Sequence, residues 1–239
     1  MDRRTSAQAA SSSRTGSDLP KRIAAGVVMA AAAVAAAWAG GGIFVLFWAV
    51  AAALVLWEWI GLTGRAPAGM WWIAAGVVYA AVAVAAPVML RADTQFGLIA
   101  ILFLFAIVWS TDILGYVVGR LVGGSKLWPA VSPNKTWSGA VGGIIGAVAA
   151  GGAVAYTAGV VVWPAALLSG VLSVASQAGD LMESALKRKF DAKDASRIIP
   201  GHGGVMDRLD GFIVAALIAG AIGIARGGLD QPGRGLLAW

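Results

Sequence analysis

Long apolar stretches dominate this chain, and only a few polar clusters interrupt them. The stretches lie near residues 22–39, 43–61, 70–90, 96–119, 137–157, 160–182 and 210–226. Each is close to the roughly 20 residues that a helix needs to cross a bilayer. The pattern therefore predicts an all-α polytopic integral membrane protein with about seven transmembrane helices.

The fourth stretch, 96–119, has two interpretations. It is long for one span and contains the polar run Ser110-Thr111-Asp112. Two short helices are therefore an alternative to one long helix in this stretch. The total would then be eight or nine transmembrane helices.

Composition and charge agree with the membrane class. Apolar residues make up 59% of the 239 residues and charged residues only 13%, whereas soluble domains carry roughly 25% charged residues. Lys and Arg number 18 against 12 acids, but they cluster between apolar stretches, as in cytoplasmic loops. Nucleic acid is therefore not an expected partner. The chain has no cysteine, which excludes disulfides, zinc–thiolate sites and cysteine nucleophiles.

Basic residues next to the spans predict the orientation. Lys21 and Arg22 precede the first stretch, which places the N-terminus in the cytoplasm and the two largest polar loops, 120–137 and 183–210, on that same side. The chain then divides into four parts: a disordered cytoplasmic tail (1–20), N-terminal transmembrane helices (21–92), a transmembrane domain with both loops and the candidate chemistry (93–228), and a short C-terminal tail (229–239).

Four acids lie within or at the ends of the apolar stretches: Glu58, Asp112, Asp180 and Asp207. A carboxylate at the bilayer centre costs at least about 2.5–3.5 kcal/mol, so such residues usually face the protein interior and have a function. For Glu58, which lies between two tryptophans, an interfacial structural role is an equal alternative.

Two polar segments have the character of a phosphate site. In 123–139, Lys126 and Lys135 supply charge, Ser132 and Thr136 supply hydroxyl groups, and a helix start near Pro133 would direct free N–H groups at an anion.

The second segment, 183–210, mixes six basic and five acidic residues. That mixture suits a site holding a divalent cation and a polyphosphate together. On a helix, Asp180, Glu183, Ser184 and Lys187 form one polar stripe. Gly203 and Gly204 would allow close backbone approach to an anion. His202, the only histidine, fits a hydrogen-bonding residue better than a metal ligand, because zinc would need a second soft ligand.

These residues together resemble the signature of the phosphatidate cytidylyltransferases (CDP-diacylglycerol synthases). The downstream block comprises Ser184, Lys187-Arg188, Lys193-Asp194, Ser196, Ile199-Pro200, His202-Gly203-Gly204, Asp207-Arg208 and Asp210. Upstream, Asp112, Tyr116, Gly119-Arg120, Lys126, the run SPNKTWSG and the run GDLMES are similar to further family motifs, as is EWIGLTG at 58–64. The resemblance covers roughly 45–226. One departure is Ser138, where the family usually has an acid.

The resemblance implies a multi-pass enzyme of the inner (plasma) membrane, with an active-site cavity facing the cytoplasm. It implies the reaction CTP + phosphatidate → CDP-diacylglycerol + pyrophosphate, with Mg²⁺ required and a second cation such as K⁺ as an open addition. The metal ligands predicted are Asp180, Asp207 and Asp210. The catalytic residues predicted are Asp180, Asp207, Lys187, Arg188, Lys193, Asp194 and Arg208. The substrate-binding residues predicted are Ser132, Lys135, Thr136, Lys126, Asp112, Tyr116, Ser184, His202, Gly203 and Gly204.

The partners expected are CTP, phosphatidic acid and the lipid bilayer, with a homodimer left open. Other interpretations also stay open at this point. A small-solute transporter would explain acids within the membrane, but it predicts polar residues at mid-membrane depth and an internal repeat, and neither is found. A polyprenol or phytol kinase, or an ether-lipid cytidylyltransferase, would use CTP at a similar site. An inactive structural membrane protein is supported only by Ser138.

Overall fold

A computed structural model describes residues 24–64, 69–196, 198–199 and 203–239 of the chain. Its helices are α1 (Ala24–Ala39), α2 (Gly41–Thr63), α3 (Gly69–Ala92), α4 (Gly97–Val122), α5 (Trp137–Thr157), α6 (Val162–Lys189), α7 (Met206–Gly227) and α8 (Pro232–Leu237). An antiparallel hairpin, β1 (Lys126–Trp128) and β2 (Ser132–Thr136), joins α4 to α5. Within the described residues, helices α2 to α7 are the six that are long and apolar enough to cross a membrane, and α1 is a shorter apolar helix.

The predicted all-α membrane architecture is confirmed, and the helix count is close to the seven predicted. The fourth stretch forms one continuous helix, so the alternative of two short helices is wrong. The predicted tail at 1–20 lies outside the described residues. Residues 232–237 form a helix whose Leu236 and Leu237 are fully buried, so this part of the C-terminal tail is packed against the bundle.

Two helix ends differ from the sequence expectation in a way that matters for the site. Helix α6 has 28 residues and continues through the polar stripe to Lys189, because Glu183 pairs with Lys187 within the helix and Asp180 pairs with Lys135 of the hairpin. Helix α7 begins at Met206, four residues before the predicted start, so that Asp207 lies in its first turn.

Helices α4 and α5 approach so closely that only glycine fits between them. A Cβ atom at Gly139 would lie 2.6 Å from the carbonyl oxygen of Gly115, and one at Gly143 would lie 2.8 Å from the carbonyl oxygen of Thr111. Both obstacles are backbone atoms, which cannot move aside as a flexible side chain would. This contact brings the hairpin and the first turn of α5 next to the polar face of α4.

At the opposite end of the bundle, Asp93 joins the α3–α4 turn to α8. Its carboxylate accepts hydrogen bonds from the backbone N–H groups of Gln95 (2.9 Å), Phe96 (2.8 Å) and Arg234 (2.8 Å). Burial by itself would raise the pKa of Asp93, but these hydrogen bonds and the charge of Arg234 outweigh it, and the pKa is lowered from its ordinary value.

Candidate active site

One large cavity, of about 850 Å³, lies where α4 and α6 end and where α5 and α7 begin. The charged residues that line it are Asp112, Asp180, Asp194, Asp207, Asp210, Arg120, Lys126, Lys135, Lys187 and Arg208. Among the described residues of the lining, five carboxylates thus face five basic groups, and their formal charges cancel. The helices around them are apolar, so this end of the bundle concentrates the polar chemistry of the chain.

Asp180 on α6 lies in the cavity wall and forms an ion pair with Lys135 of β2. The two side chains are 32% and 29% exposed, respectively, so both stay accessible from the cavity. The other carboxylate oxygen of Asp180 receives only a long hydrogen bond, 3.4 Å, from the hydroxyl group of Ser184. Asp180 therefore keeps lone pairs that are free to bind a ligand.

Lys187 on α6 is a buried ammonium group between two carboxylates. Its Nζ lies 2.7 Å from Oε2 of Glu183 and 2.5 Å from Oδ1 of Asp207. The Lys187 side chain is 11% exposed, and those of Glu183 and Asp207 are 2% and 5% exposed. Lys187 therefore joins the end of α6 to the start of α7 and balances both acids.

The second carboxylate oxygen of Asp207 holds the loop that precedes α7. It accepts hydrogen bonds from the backbone N–H groups of Ala195 (3.0 Å) and Gly204 (2.7 Å). A Cβ atom at Gly203, where φ is +83°, would lie 2.7 Å from this oxygen. The anion that approaches the backbone at Gly203 is therefore the carboxylate of Asp207. Because Asp207 already accepts these hydrogen bonds, it has fewer free lone pairs than Asp180.

The first turn of α5 forms the wall next to the hairpin. Thr136 caps this helix, because its hydroxyl oxygen accepts a hydrogen bond from the backbone N–H of Gly139 (3.1 Å). Ser138 donates a hydrogen bond to the carbonyl oxygen of Gly123, at the end of α4. The serine that departs from the family pattern thus ties α4 to α5, a bond that an ionised acid could not donate.

The structure brings most of the predicted site residues to this cavity. Those in the lining are Asp112, Tyr116, Lys126, Lys135, Thr136, Asp180, Lys187, Asp194, Asp207, Arg208 and Asp210. The predicted residues outside the lining are Ser132, Ser184, Arg188, Lys193, Gly203 and Gly204.

For two of these six residues, contacts with neighbouring residues explain why the side chain lies outside the cavity. Arg188 donates a hydrogen bond to the carbonyl oxygen of Ala192 (2.9 Å) just after α6, and Ser132 pairs with Trp128 in the hairpin. His202 lies outside the described residues.

Residues that were not predicted also line the cavity. Thr111, Asn134 and Gln177 are the polar ones, beside Arg120, which belongs to the motif that carried the resemblance. Gln177 donates a hydrogen bond to the carbonyl oxygen of Ala140 (3.3 Å), which joins α6 to α5. It lies three residues before Asp180, so extending the polar stripe of α6 by one helical turn would have identified it.

The comparison with known proteins agrees with this geometry. The model of the protein family described as "Cytidylyltransferase family" matches residues 66–223, which include the whole cavity lining. The chain belongs to the cytidylyltransferase family.

Relatives of this cytidylyltransferase share most of its length. A protein of Brucella suis biovar 1 (strain 1330) named phosphatidate cytidylyltransferase is 38% identical over 263 residues, covering 90% of this chain and 97% of the relative. One of the same name from Brucella abortus biovar 1 (strain 9-941) is 39% identical over 249 residues, covering 84% and 92%. A third, from Staphylococcus saprophyticus, is 46% identical over 119 residues, covering 49% and 46%. The resemblance noted in the sequence is therefore confirmed.

Proposed function

We propose that this cytidylyltransferase transfers CMP from CTP to phosphatidate, which yields CDP-diacylglycerol and pyrophosphate. The observation that carries the proposal is the charged cavity at one end of an otherwise apolar helical bundle. Its volume of about 850 Å³ lies within the range of roughly 300–1,000 Å³ typical of small-ligand sites. Only a site at the end of the spans is reached both by a soluble nucleotide and by a lipid that stays in the bilayer.

The reaction requires two anions to meet, and the cavity lining suits this requirement. An oxygen of the lipid phosphate attacks the α-phosphorus of CTP, the bond from that phosphorus to the β-phosphate oxygen breaks, and the electron pair leaves with pyrophosphate. A phosphate monoester is largely ionised at pH 7, so the nucleophile needs no strong general base. The task of the protein is to position both groups and to stabilise negative charge.

Basic side chains from several elements serve this task. Lys126 and Lys135 come from the hairpin, Arg120 from the end of α4 and Arg208 from the first turn of α7. We assign them to the phosphate groups because they line the cavity and approach it from different sides. Lys187 acts mainly through the two carboxylates that it contacts, and we assign it the role of fixing Asp207.

The carboxylates in the cavity fit a magnesium ion. Mg²⁺ prefers oxygen ligands and is usually held by one or two carboxylates together with substrate phosphates. Among the described residues no group of three or more acids or histidines is arranged to hold a metal ion alone, which agrees with that shared mode of binding. Of the three predicted ligands, Asp180 has a carboxylate that is accessible from the cavity, and Asp210 lies in the same lining. The carboxylate of Asp207 already accepts hydrogen bonds from Lys187 and from two backbone N–H groups.

When bound, Mg²⁺ would neutralise charge on the triphosphate and polarise the α-phosphate. The charges of the lining support this proposal, because its described residues include five basic groups and five acids, with no positive excess among them for a triphosphate. A second cation such as K⁺ and a homodimer stay predictions. We also propose, from the positions of the basic loops, that the cavity faces the cytoplasm from the inner membrane.

The test uses the purified protein in detergent with CTP, Mg²⁺ and phosphatidate, and measures CDP-diacylglycerol by mass. We expect product from the wild type, none after chelation of Mg²⁺, and a loss of at least about a hundredfold in Asp180→Asn, the range for removing one group that stabilises transition-state charge. Asp191→Asn is the matched control, since Asp191 is exposed outside the cavity and asparagine tolerates its positive φ of 52°.

Two results would count against the proposal. Formation of a phosphorylated lipid with release of CDP would favour the kinase alternative. Equal activity in Asp180→Asn and Asp191→Asn would remove Asp180 from the reaction.

A further inference from the structure

Glu58 is a buried carboxylate on α2 that lies outside the cavity lining and outside the range matched by the family model. Its side chain reaches across to the start of α7 and is 1% exposed in the folded chain. It accepts hydrogen bonds from the hydroxyl group of Ser196 (2.6 Å) and from the backbone N–H groups of Val205 (2.9 Å) and Met206 (2.6 Å). The carboxylate therefore makes its contacts inside the protein and does not extend into solvent.

These contacts place Glu58 at the N-terminus of α7. Val205 is the N-cap residue of that helix and Met206 its first residue, and its own side chains make no capping hydrogen bond. The first N–H groups of a helix lack partners within the helix, and its dipole favours negative charge there. Glu58 supplies from another helix the hydrogen-bond acceptor that the start of α7 lacks, and it adds a negative charge to that of Asp207 in the first turn.

Glu58 and Asp207 together close the base of the loop before α7. Glu58 contacts Ser196 on the incoming side and Val205 and Met206 on the outgoing side. Asp207 contacts Ala195 and Gly204 in the same way. A Cβ atom at Gly204 would lie 2.6 Å from Oε1 of Glu58, so a side chain at this position would displace the carboxylate from its present place.

We propose that Glu58 is a positioning residue for the reaction. It fixes the first turn of α7, and with it Asp207, Arg208 and Asp210, to a helix that takes no part in the cavity. The expected effect of Glu58 on turnover rests on the proposed function. The expected effect of Glu58 on the loop before α7 does not.

The kinetic test compares Glu58→Gln with Asp93→Asn. Glutamine keeps the shape of the side chain, but its NH₂ group faces N–H donors and the negative charge is lost. Asp93 is a matched control because it is also a buried carboxylate that accepts backbone N–H groups. It lies at the far end of α3, roughly 30 Å away along a 24-residue helix.

We expect kcat of Glu58→Gln to fall at least about tenfold, equivalent to roughly 1.4 kcal/mol. The assay is run well below the unfolding temperature of the variant, so that loss of folded protein does not contribute. The KM for CTP should rise by a smaller factor than kcat falls, because Lys126, Lys135 and Arg120 lie on the hairpin and α4, which do not contact Glu58, and only Arg208 belongs to α7. Asp93→Asn should lose stability and keep its kcat. Glu58→Gln with unchanged kcat would overturn the proposal, because a residue needed only for folding lowers stability alone.

The second test measures the loop directly and needs no turnover. The chain has no cysteine, so Ile198→Cys, at an exposed loop position, carries a single nitroxide label. We expect a narrower electron paramagnetic resonance line, from faster motion, when Glu58→Gln is added and no change when Asp93→Asn is added. An unchanged line in Glu58→Gln would overturn the proposal even if activity were lost.

The two tests separate the two hypotheses. An inactive wild type with a line that narrows in Glu58→Gln would refute the proposed function and support the role of Glu58 in holding the loop. If Glu58→Gln does not fold, Ser196→Ala removes one of the three hydrogen bonds and leaves the charge in place. It should then narrow the line and lower kcat to a smaller extent, and wild-type values for both would overturn the proposal.

Discussion

Replacement of Lys187 by methionine tests how the charges at the cavity are balanced. Methionine has similar length and no charge, so the change removes the ammonium group and leaves the packing of α6 nearly intact. Glu183 and Asp207, 2% and 5% exposed, would then lose the cation that lies within 2.7 Å of both. Two negative charges would remain buried near each other.

The expected loss can be worked from these contacts. Removing one partner of a buried ion pair typically costs about 3–5 kcal/mol, because the remaining charge has no compensation. For a chain of this size each kcal/mol shifts the unfolding temperature by roughly 2–4 °C, so Lys187→Met should unfold roughly 6–20 °C below the wild type.

Thermal unfolding in detergent, followed by the fluorescence of the 11 tryptophans, measures this loss. Lys189→Met is the matched control, because Lys189 is an exposed residue two positions further on the same helix, with its Nζ 4.7 Å from the centroid of the Trp72 ring. It should cost at most about 1 kcal/mol, as exposed cation–π contacts do.

A second substitution identifies the cause. In the Lys187→Met background, Glu183→Gln removes one of the two uncompensated charges and should recover a large part of the lost stability. An unfolding temperature for Lys187→Met within about 2 °C of the wild type would refute the reasoning, given a predicted loss of at least about 6 °C. A further decrease on adding Glu183→Gln would refute it as well.

Two further predictions concern the frame around the site. Asp93→Asn should destabilise the protein at neutral pH, and the difference from the wild type should vanish in acid. The lowered pKa of Asp93 means that its contribution is present above the ordinary value of 3.8 and is lost as the pH falls through the lowered value. Gly139→Ala should cost about 1–3 kcal/mol by overpacking, since its new methyl group would lie 2.6 Å from the carbonyl oxygen of Gly115. Unfolding temperature measured against pH, and at fixed pH for the glycine variant, checks both.

Each of these predictions has an outcome that contradicts it. A stability difference for Asp93→Asn that stays constant down to strongly acidic pH would mean that its charge is not what matters. For Gly139→Ala the matched control is Gly61→Ala on α2, where the added methyl group meets nothing within 4 Å. Equal effects of the two alanines would show that helix propensity, and not the contact between α4 and α5, decides the result.

Most of the membrane architecture follows from local pattern. The spans predicted at 70–90 and 137–157 correspond to helices Gly69–Ala92 and Trp137–Thr157, because an apolar run of sufficient length leaves the backbone no alternative to helix in a bilayer. The ends of α6 and α7 were less predictable. Both continue through charged residues, and ion pairs with residues far along the chain make this possible.

Residue types and spacing also predicted many of the side chains that meet at the cavity, which collects 11 of the predicted residues. Residue types and spacing could not distinguish the side chains that line the cavity from those that hold the lining residues in place. Ser184 and Gly204 belong to the same motifs as Asp180 and Asp207, yet they contact a carboxylate and lie outside the lining.

The amino-acid sequence by itself therefore determined the fold class, the family and the types of group at the site, because hydropathy and motif spacing are local properties. Only the tertiary structure decided which partner each charge takes. The contact between Glu58 and Met206 joins residues 148 positions apart, and that between Lys135 and Asp180 joins residues 45 apart. Such pairings depend on how helices pack, since a buried charge needs a compensating partner and the partners of Glu58 and Asp180 lie on other elements of the fold.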